Sequence, residues 1–262
     1  MTVRIGPAGI GPIKEIAETF AKYKKLGIKT AEIPFTYGVF IKEERHKKEI
    51  EEIKKAVKEN DIQLSVHAPY WINLNSEDEE KVEKSKERIL KSAKMGELLG
   101  AKYVVFHPGY YGKMEPGETY DKIRDEIIDM QNTIKEAGWK IQLAPETTGK
   151  VNVFGKEEEI LKLVEDTGCF FTLDFSHLLA RSRGEMSYKK MVEKVAKFDK
   201  LHCHFSGIEW GDKGERKHKM LEEKEIKKLV AALPKDKEMT IINESPDTVA
   251  DAMNILREYN GL

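Results

Sequence analysis

Six of the seven histidines in this chain sit at, or just beyond, the end of a short apolar run. His67 closes Gln63-Leu64-Ser65-Val66-His67, and His107 closes Tyr103-Val104-Val105-Phe106-His107. His202 and His204 lie in Leu201-His202-Cys203-His204-Phe205, and His177 follows Phe171-Thr172-Leu173-Asp174 by three residues. His218 falls in the loop after the His202 run. Three carboxylates hold comparable places: Glu146 after Ile141-Gln142-Leu143-Ala144, Asp174 itself, and Glu244 after Thr240-Ile241-Ile242. Imidazoles and carboxylates converging from many strand ends are what a site for several zinc-like cations requires. His46, within the charged stretch Glu43-Glu44-Arg45-His46-Lys47-Lys48, reads as a solvated helix residue with no role.

Within this set the spacing Asp174-Phe175-Ser176-His177 is the sharpest. The aspartate can point inward at its strand end while the histidine returns from the next loop. A carboxylate at Glu146 can bridge two cations, which a neutral imidazole cannot. Of the pair His202 and His204, which share strand parity, His202 is the expected ligand and His204 the expected outer donor. Glu244 has a plainer alternative, as the acid capping a helix that follows Ser245-Pro246.

Something must hold these groups together. Short apolar runs alternate with longer amphipathic stretches eight times. Strands are expected near 3–8, 31–35, 63–68, 103–108, 140–146, 169–175, 200–206 and 239–244. Helices are expected near 12–26, 42–59, 77–99, 117–137, 156–166, 187–197, 222–233 and 247–259. The helices carry the 3.6-residue period, with Ile89, Leu90, Ala93, Gly96 and Leu98-Leu99 on one face. The strands are apolar almost throughout, as strands covered on both faces must be. Gly27, Gly100, Gly138 and Gly168 follow helical stretches as C-terminal caps, and Ser76 precedes one as an N-cap. Eight βα units in series predict one (β/α)8 TIM barrel spanning 1–262, an α/β fold with no linker. A doubly wound open sheet fits less well, because it would spread the donors along an edge rather than gather them.

Composition narrows the functional classes. The 262 residues suit a barrel, which typically needs about 250. The formal net charge of -1 gives no global basic signature of a nucleic-acid protein, although it would not reveal a local basic rim. Charged residues reach 35%, while glutamine occurs only at 63, 131 and 142, a balance that leans towards thermophilic origin. Cys169 and Cys203 fall in expected strands and read as small core side chains, not a disulfide framework. No apolar stretch approaches the roughly 20 residues of a membrane span. Met1-Thr2-Val3-Arg4 does not read as a signal peptide, so a cytoplasmic location is expected.

The chain resembles the endonuclease IV family of apurinic/apyrimidinic endonucleases, within the xylose-isomerase-like barrels. Six segments carry the resemblance, in order and at barrel spacing: His67-Ala68-Pro69-Tyr70-Trp71-Ile72-Asn73-Leu74, Phe106-His107-Pro108-Gly109, Pro145-Glu146-Thr147, Leu173-Asp174-Phe175-Ser176-His177, His202-Cys203-His204-Phe205-Ser206 and Asn243-Glu244-Ser245-Pro246. The resemblance implies three zinc ions. His67, His107 and Glu146 would hold the first, and Glu146 would bridge to a second completed by Asp174, His202 and Glu244. His177 and His218 would hold the third, for which manganese is an alternative metal as for the others. The family places an aspartate two residues before the last histidine. Here that position is Arg216, and the nearest carboxylate is Glu215, which either takes over or leaves the third site weak.

The same resemblance implies cleavage of the phosphodiester 5′ to abasic sites in double-stranded DNA, leaving a 3′-hydroxyl, by a monomeric enzyme of base excision repair. Glu146 would orient the attacking water and take its proton. Tyr70 and Trp71 match the family's pair of side chains that enter the base stack. The family's arginine in the second strand's loop has no counterpart in Phe35-Thr36-Tyr37-Gly38-Val39-Phe40, where Tyr37 or Phe40 would substitute. Lys113, Lys150, Arg181, Arg183, Lys213 and Arg216 fall in expected loops at the catalytic face and are candidate phosphate contacts. Two other functions fit parts of the pattern. A divalent-metal sugar isomerase or epimerase needs only Glu146, Asp174, His202 and Glu244, and leaves the further imidazoles unexplained. A non-catalytic abasic-DNA binding protein would follow from loss of the third metal at Arg216.

Overall fold

The computed structural model describes residues 2–261. Its strands in chain order are β1 (Thr2–Pro7), β2 (Thr30–Pro34), β3 (Gln63–His67), β4 (Tyr103–Phe106), β5 (Gln142–Pro145), β6 (Leu173–Asp174), β7 (Lys200–Phe205), β8 (Gly207–Gly211), β9 (Gly214–Lys219) and β10 (Glu238–Asn243). The helices are α1 (Ile16–Leu26, after a 3-10 turn at Ile13–Glu15), α2 (Lys47–Glu59), α3 (Glu79–Leu99), α4 (Pro116–Glu136), α5 (Glu157–Thr167), α6 (Phe175–Arg181), α7 (Tyr188–Lys194), α8 (Glu223–Ala232) and α9 (Thr248–Gly261).

Two parallel four-stranded sheets, ordered β1-β10-β7-β6 and β2-β3-β4-β5, make the barrel wall. Single parallel bridges at Ala8–Glu32 and Glu146–Thr172 join them edge to edge. The ring is therefore closed, as the alternation of elements predicts. β8 and β9 stand outside it as an antiparallel hairpin.

The helices pack as their patterning requires. α3 buries Ile89, Ala93, Gly96 and Leu99, the expected face. Gly96 has a steric reason: a Cβ there would lie 2.5 Å from Ile141 Cδ1, so only glycine lets this helix lie so close to the sheet. Gly27, Gly100 and Gly168 end their helices in the left-handed conformation. The start of α3 corrects the sequence reading. Asp78 caps it, accepting from Glu80 N, while Ser76 Oγ accepts one step earlier from Asp78 N.

Three further differences bear on function. The sixth strand is two residues long and turns at once into α6, which the sequence reading missed because a seven-residue helix shows barely two turns of period. Cys169 consequently lies before that strand rather than in it, still buried. The third difference is the β8–β9 hairpin, which places His218 on a strand rather than in an irregular loop.

The main core lies between sheet and helices. A small separate cluster of Tyr103, Val105 and Ala144 occupies the barrel interior, with Phe170 against it. Bulky branched residues usually fill such an interior. Here much of it is polar: Glu32, Ser65, His202 and Thr240 are all buried.

Candidate metal centre

Parallel pairing staggers the strands: His67 pairs with Val105, two residues before His107, and Glu146 bridges to Thr172, two before Asp174. In the tilted wall the residues at or just past the ends of β3, β4, β5 and β6 therefore gather at the barrel mouth. Glu146 sits at the centre, fully buried. Its Oε2 lies 3.3 Å from His67 Nε2 and 2.9 Å from His107 Nε2. Its Oε1 lies 3.1 Å from His204 Nδ1 and 3.4 Å from His177 Nδ1. One carboxylate thus faces two neighbouring groups, the position of a bridging ligand. The second group comprises Glu146, Asp174, His204 and Glu244. Asp174 caps α6, accepting from His177 N at 2.6 Å, and its Oδ2 has no hydrogen-bond partner. Glu244 Oε2 approaches His204 Nδ1 at 3.4 Å, while Asp247 takes the backbone bond at the start of α9. The helix-cap alternative for Glu244 does not hold.

His204 therefore occupies the place expected of His202. Both rings point inward, as their parity demands, but residue 202 lies a layer deeper in the barrel, beside Thr240. Counting residues from the strand end, rather than preferring the first histidine of the pair, would have found this.

The third group comprises His177, Glu215 and His218. In a regular strand, residues three apart face opposite sides. The hairpin register shifts between Glu209 and Trp210: Glu209 faces Lys217, and Trp210 faces Glu215. Arg216 is thus the extra residue of a β-bulge, and the bulge turns Glu215 to the same side as His218. Glu215 Oε2 reaches to 3.6 Å from His177 Nε2, and its Oε1 to 4.0 Å from His218 Nε2. Gly149 makes the space, since a Cβ there would lie 2.9 Å from Glu215 Oε2. Glu215, not Arg216, is the residue beside the two histidines.

Backbone carbonyls orient three of the imidazoles. His67 Nδ1 donates to Ala68 O at 2.8 Å, His177 Nδ1 to Thr147 O at 2.9 Å, and His218 Nδ1 to Glu244 O at 3.1 Å. A carbonyl only accepts, so each Nδ1 carries hydrogen and each Nε2 is turned toward its group. Outer carbonyls fix metal-binding histidines in this way. Glu146 Oε1, Asp174 Oδ2 and His204 Nδ1 are buried without hydrogen-bond partners. Such orphaned atoms are costly unless a cation or proton lies among them. The donor sets of all three groups, imidazole with carboxylate, fit divalent cations of the zinc class.

Electrostatics follow from this packing. Burial opposes ionisation of Glu146, yet the imidazoles of His204 and His107 hold its carboxyl well below the ordinary range. Burial also opposes protonation of His67, but Glu146 outweighs it and raises the imidazole to about 9. Burial pushes the Asp174 carboxyl up, with His177 pulling the other way.

A cleft of about 470 Å³ opens over the centre, edged by Tyr70, Tyr110 and Lys150. On its rim Tyr70 and Trp71 are 53% and 61% exposed, so they do not cap the core. Tyr37, 80% exposed, meets both rings edge-on at 6.1 Å, whereas Phe40 packs against Phe35 at 5.3 Å. Of the expected phosphate contacts, Lys113, Lys150, Arg183, Lys213 and Arg216 are exposed. Arg181 is not available in the same sense, because its guanidinium is spent on the carbonyls of Thr148, Lys150 and Val153.

A family model described as a xylose isomerase-like TIM barrel, that of the AP endonuclease 2 family, matches residues 20–259. The chain belongs to this family. An uncharacterized protein of Methanocaldococcus jannaschii is 39% identical over 91% of this chain and 90% of its own length. A probable endonuclease 4 of Aquifex aeolicus is 26% identical, over 58% of each chain. The fold matches that of endonuclease IV from Thermus thermophilus with a TM-score of 0.70 at 20% identity, covering 100% of this chain and 98% of the other. It also matches a D-tagatose 3-epimerase-like protein with a TM-score of 0.65 at 19% identity, covering 100% and 97%. The endonuclease IV resemblance and the TIM barrel are borne out. Glu32, which the sequence reading did not single out, joins His202 and His204 in a further group of possible metal donors. It lies mid-strand on β2, fully buried, and approaches His204 Nε2 at 3.3 Å. A glutamate flanked by alanine and isoleucine inside an apolar run, Thr30-Ala31-Glu32-Ile33-Pro34, was the available signal.

Proposed function

We propose that the protein is a metal-dependent DNA repair endonuclease that cuts 5′ to abasic sites and leaves a 3′-hydroxyl, with zinc at the three donor groups of the barrel mouth. One observation carries the reading. The Nε2 atoms of His177 and His218 face each other at 3.4 Å, while both Nδ1 atoms are committed to carbonyls. Two lone pairs so placed repel unless a cation or proton lies between them. His67, His107 and Glu146 would hold one ion; Glu146, Asp174, His204 and Glu244 a second; His177, Glu215 and His218 a third.

The metals, when bound, would supply Lewis-acid polarisation of the scissile phosphate and a water acidic enough to attack at neutral pH. Glu146 stays ionised between the groups and aligns that water through its carboxylate. The lowered basicity of its carboxylate suits a bridge better than a store for the proton. Tyr70 and Trp71, with Tyr37 bracing them edge-on, would fill the stack beside an extruded abasic nucleotide. Tyr37, rather than Phe40, would take the place of the family's loop arginine, offering a stacking face where the family offers charge. Lys150, at the cleft edge, and Arg216, on the hairpin, would contact phosphates. The probable endonuclease 4 among the relatives supports this substrate class.

A sugar epimerase remains the second reading, because Glu146, Asp174, His204 and Glu244 alone would serve one and the fold is shared with an epimerase-like protein. It leaves His67, His107 and the third group without purpose. The deciding experiment is incision of a labelled duplex with one abasic analogue, beside an undamaged control, before and after chelator treatment. Chelator-sensitive cutting 5′ to the lesion is expected. Tight binding without cutting would move the assignment to a damage-binding protein. Neither binding nor cutting would move it to a small sugar.

A further inference from the structure

We propose that Glu32, His202 and His204 hold one more divalent cation of the zinc class, inside the barrel beneath the strand-end groups. Glu32 Oε2 lies 3.7 Å from His202 Nε2 and 3.3 Å from His204 Nε2. Zinc with bonds of about 2.0–2.1 Å to tetrahedral donors sets those donors roughly 3.4 Å apart. The two separations lie on either side of that value. Comparable or shorter separations occur in the strand-end groups, where His67 and His107 lie 3.3 Å and 2.9 Å from Glu146.

The atoms are also short of partners. Glu32 Oε1, His202 Nε2 and His204 Nε2 are buried with no hydrogen bond. Among the described residues, the ion-pair partners of Glu32 are the two imidazoles, with no lysine or arginine beside it. Ser65 Oγ donates to Glu32 Oε2 at 2.8 Å, which satisfies one oxygen and fixes the carboxylate. A carboxylate so deeply buried is costly without a counter-charge.

The outer contacts suit a ligand set. His202 Nδ1 meets Thr240 Oγ1 at 2.6 Å, and that hydroxyl donates onward to Leu201 O at 3.4 Å. The imidazole therefore donates from Nδ1 and aims the lone pair of Nε2 at Glu32. His204 turns Nδ1 to the strand-end group and Nε2 to the deeper one. With both loaded it would be a bridging imidazolate, its ring proton released to solvent. Glu32 and this imidazolate then balance the two positive charges of the inner cation. The inference rests on the proposed centre only through the shared His204.

The test is anomalous diffraction from crystals of the wild-type protein grown with zinc, with data at the zinc edge. A peak bonded to the Glu32 carboxylate, His202 Nε2 and His204 Nε2 is expected, in addition to strand-end peaks. Strand-end peaks without the inner one would overturn this inference and leave the proposed centre standing. The inner peak alone would do the reverse. In solution, the buried cation should outlast chelator treatment that strips the cleft. His202→Gln and Glu32→Gln should each then retain one equivalent of zinc fewer than wild type, with a single cooperative, lower-temperature melting transition kept by the conservative His202→Gln. Equal zinc content in all three proteins would reduce Glu32 to a group that only orients His204, and would sink the inner cation.

Discussion

The groups His67/His107/Glu146 and His177/Glu215/His218 use the same donor chemistry but are built differently. In the first, each residue ends or immediately follows a barrel strand, and the parallel pairing of the wall brings it to the mouth. In the second, His177 rides on a seven-residue helix and the other two on a hairpin outside the barrel. The wall positions the first group wherever the strands close. The second depends on a single extra residue, Arg216, and on the gap at Gly149. A rigid sheet tolerates changes around it, whereas a bulge holds its geometry only while its residue count is kept.

The largest effect should come from the residue common to both barrel-held groups. Glu146→Gln keeps the shape but removes a charge shared among four imidazoles. Incision of an abasic duplex should fall by at least about 10³-fold, with abasic-duplex binding within a few-fold of wild type. Near-normal cutting would exclude the bridging role.

The bulge offers the sharper contrast. The bulge's product is Glu215 beside the two histidines, and Glu215→Ala should remove that donor while leaving the bulge in place. Zinc content should drop by one equivalent, and cutting should fall about 10²-fold or more. Folding should persist, because the hairpin lies outside the barrel wall. Arg216→Ala keeps the Glu215 carboxylate and should retain all the zinc. Loss of the same ion in both variants would mean that the Arg216 side chain helps to form the group and that Glu215 alone does not account for it.

On the rim, Trp71→Ala removes one stacking face. Binding to an abasic duplex should weaken roughly 10- to 100-fold, with metal content unchanged. Tyr37→Ala should have a smaller effect, because Tyr37 touches the other two rings edge-on and braces them. An equal loss in both would make Tyr37 a direct contact.

The two groups also differ in how far they could be read from the sequence. Strand ends are legible because an apolar run stops where the chain reaches solvent, so His67, His107, Glu146, Asp174 and Glu244 announced themselves. Depth is harder. His202 and His204 share parity and composition, and only the pairing with Thr240 and Ile242 decides which stands at the mouth. Glu32 was hidden for a related reason, since a lone acid in a strand gives no local sign that two imidazoles from across the barrel meet it. The hairpin was invisible because Gly207–Lys219 is charged and glycine-rich, and its inward face depends on the bulge rather than on period two.

A last prediction separates protons from cations at the barrel-held group. Without metal, Glu146 raises the His67 imidazole from 6.5 to about 9, against the pull of burial. Its folded value is raised, so its contribution to the stability of the metal-free protein is fully present below pH 6.5. That contribution is lost as pH rises through about 9. A bound cation must displace the same proton, so apparent zinc affinity should climb with pH over this window and level off above it. Chelator competition between pH 6.5 and 9.5, paired with melting curves of the metal-free protein, reads both trends. They should run in opposite directions, because one position beside Glu146 holds either a proton or a cation. Affinity that is flat across the window would show that His67 is already unprotonated in the metal-free protein, and that Glu146 is shielded from it by something other than a cation.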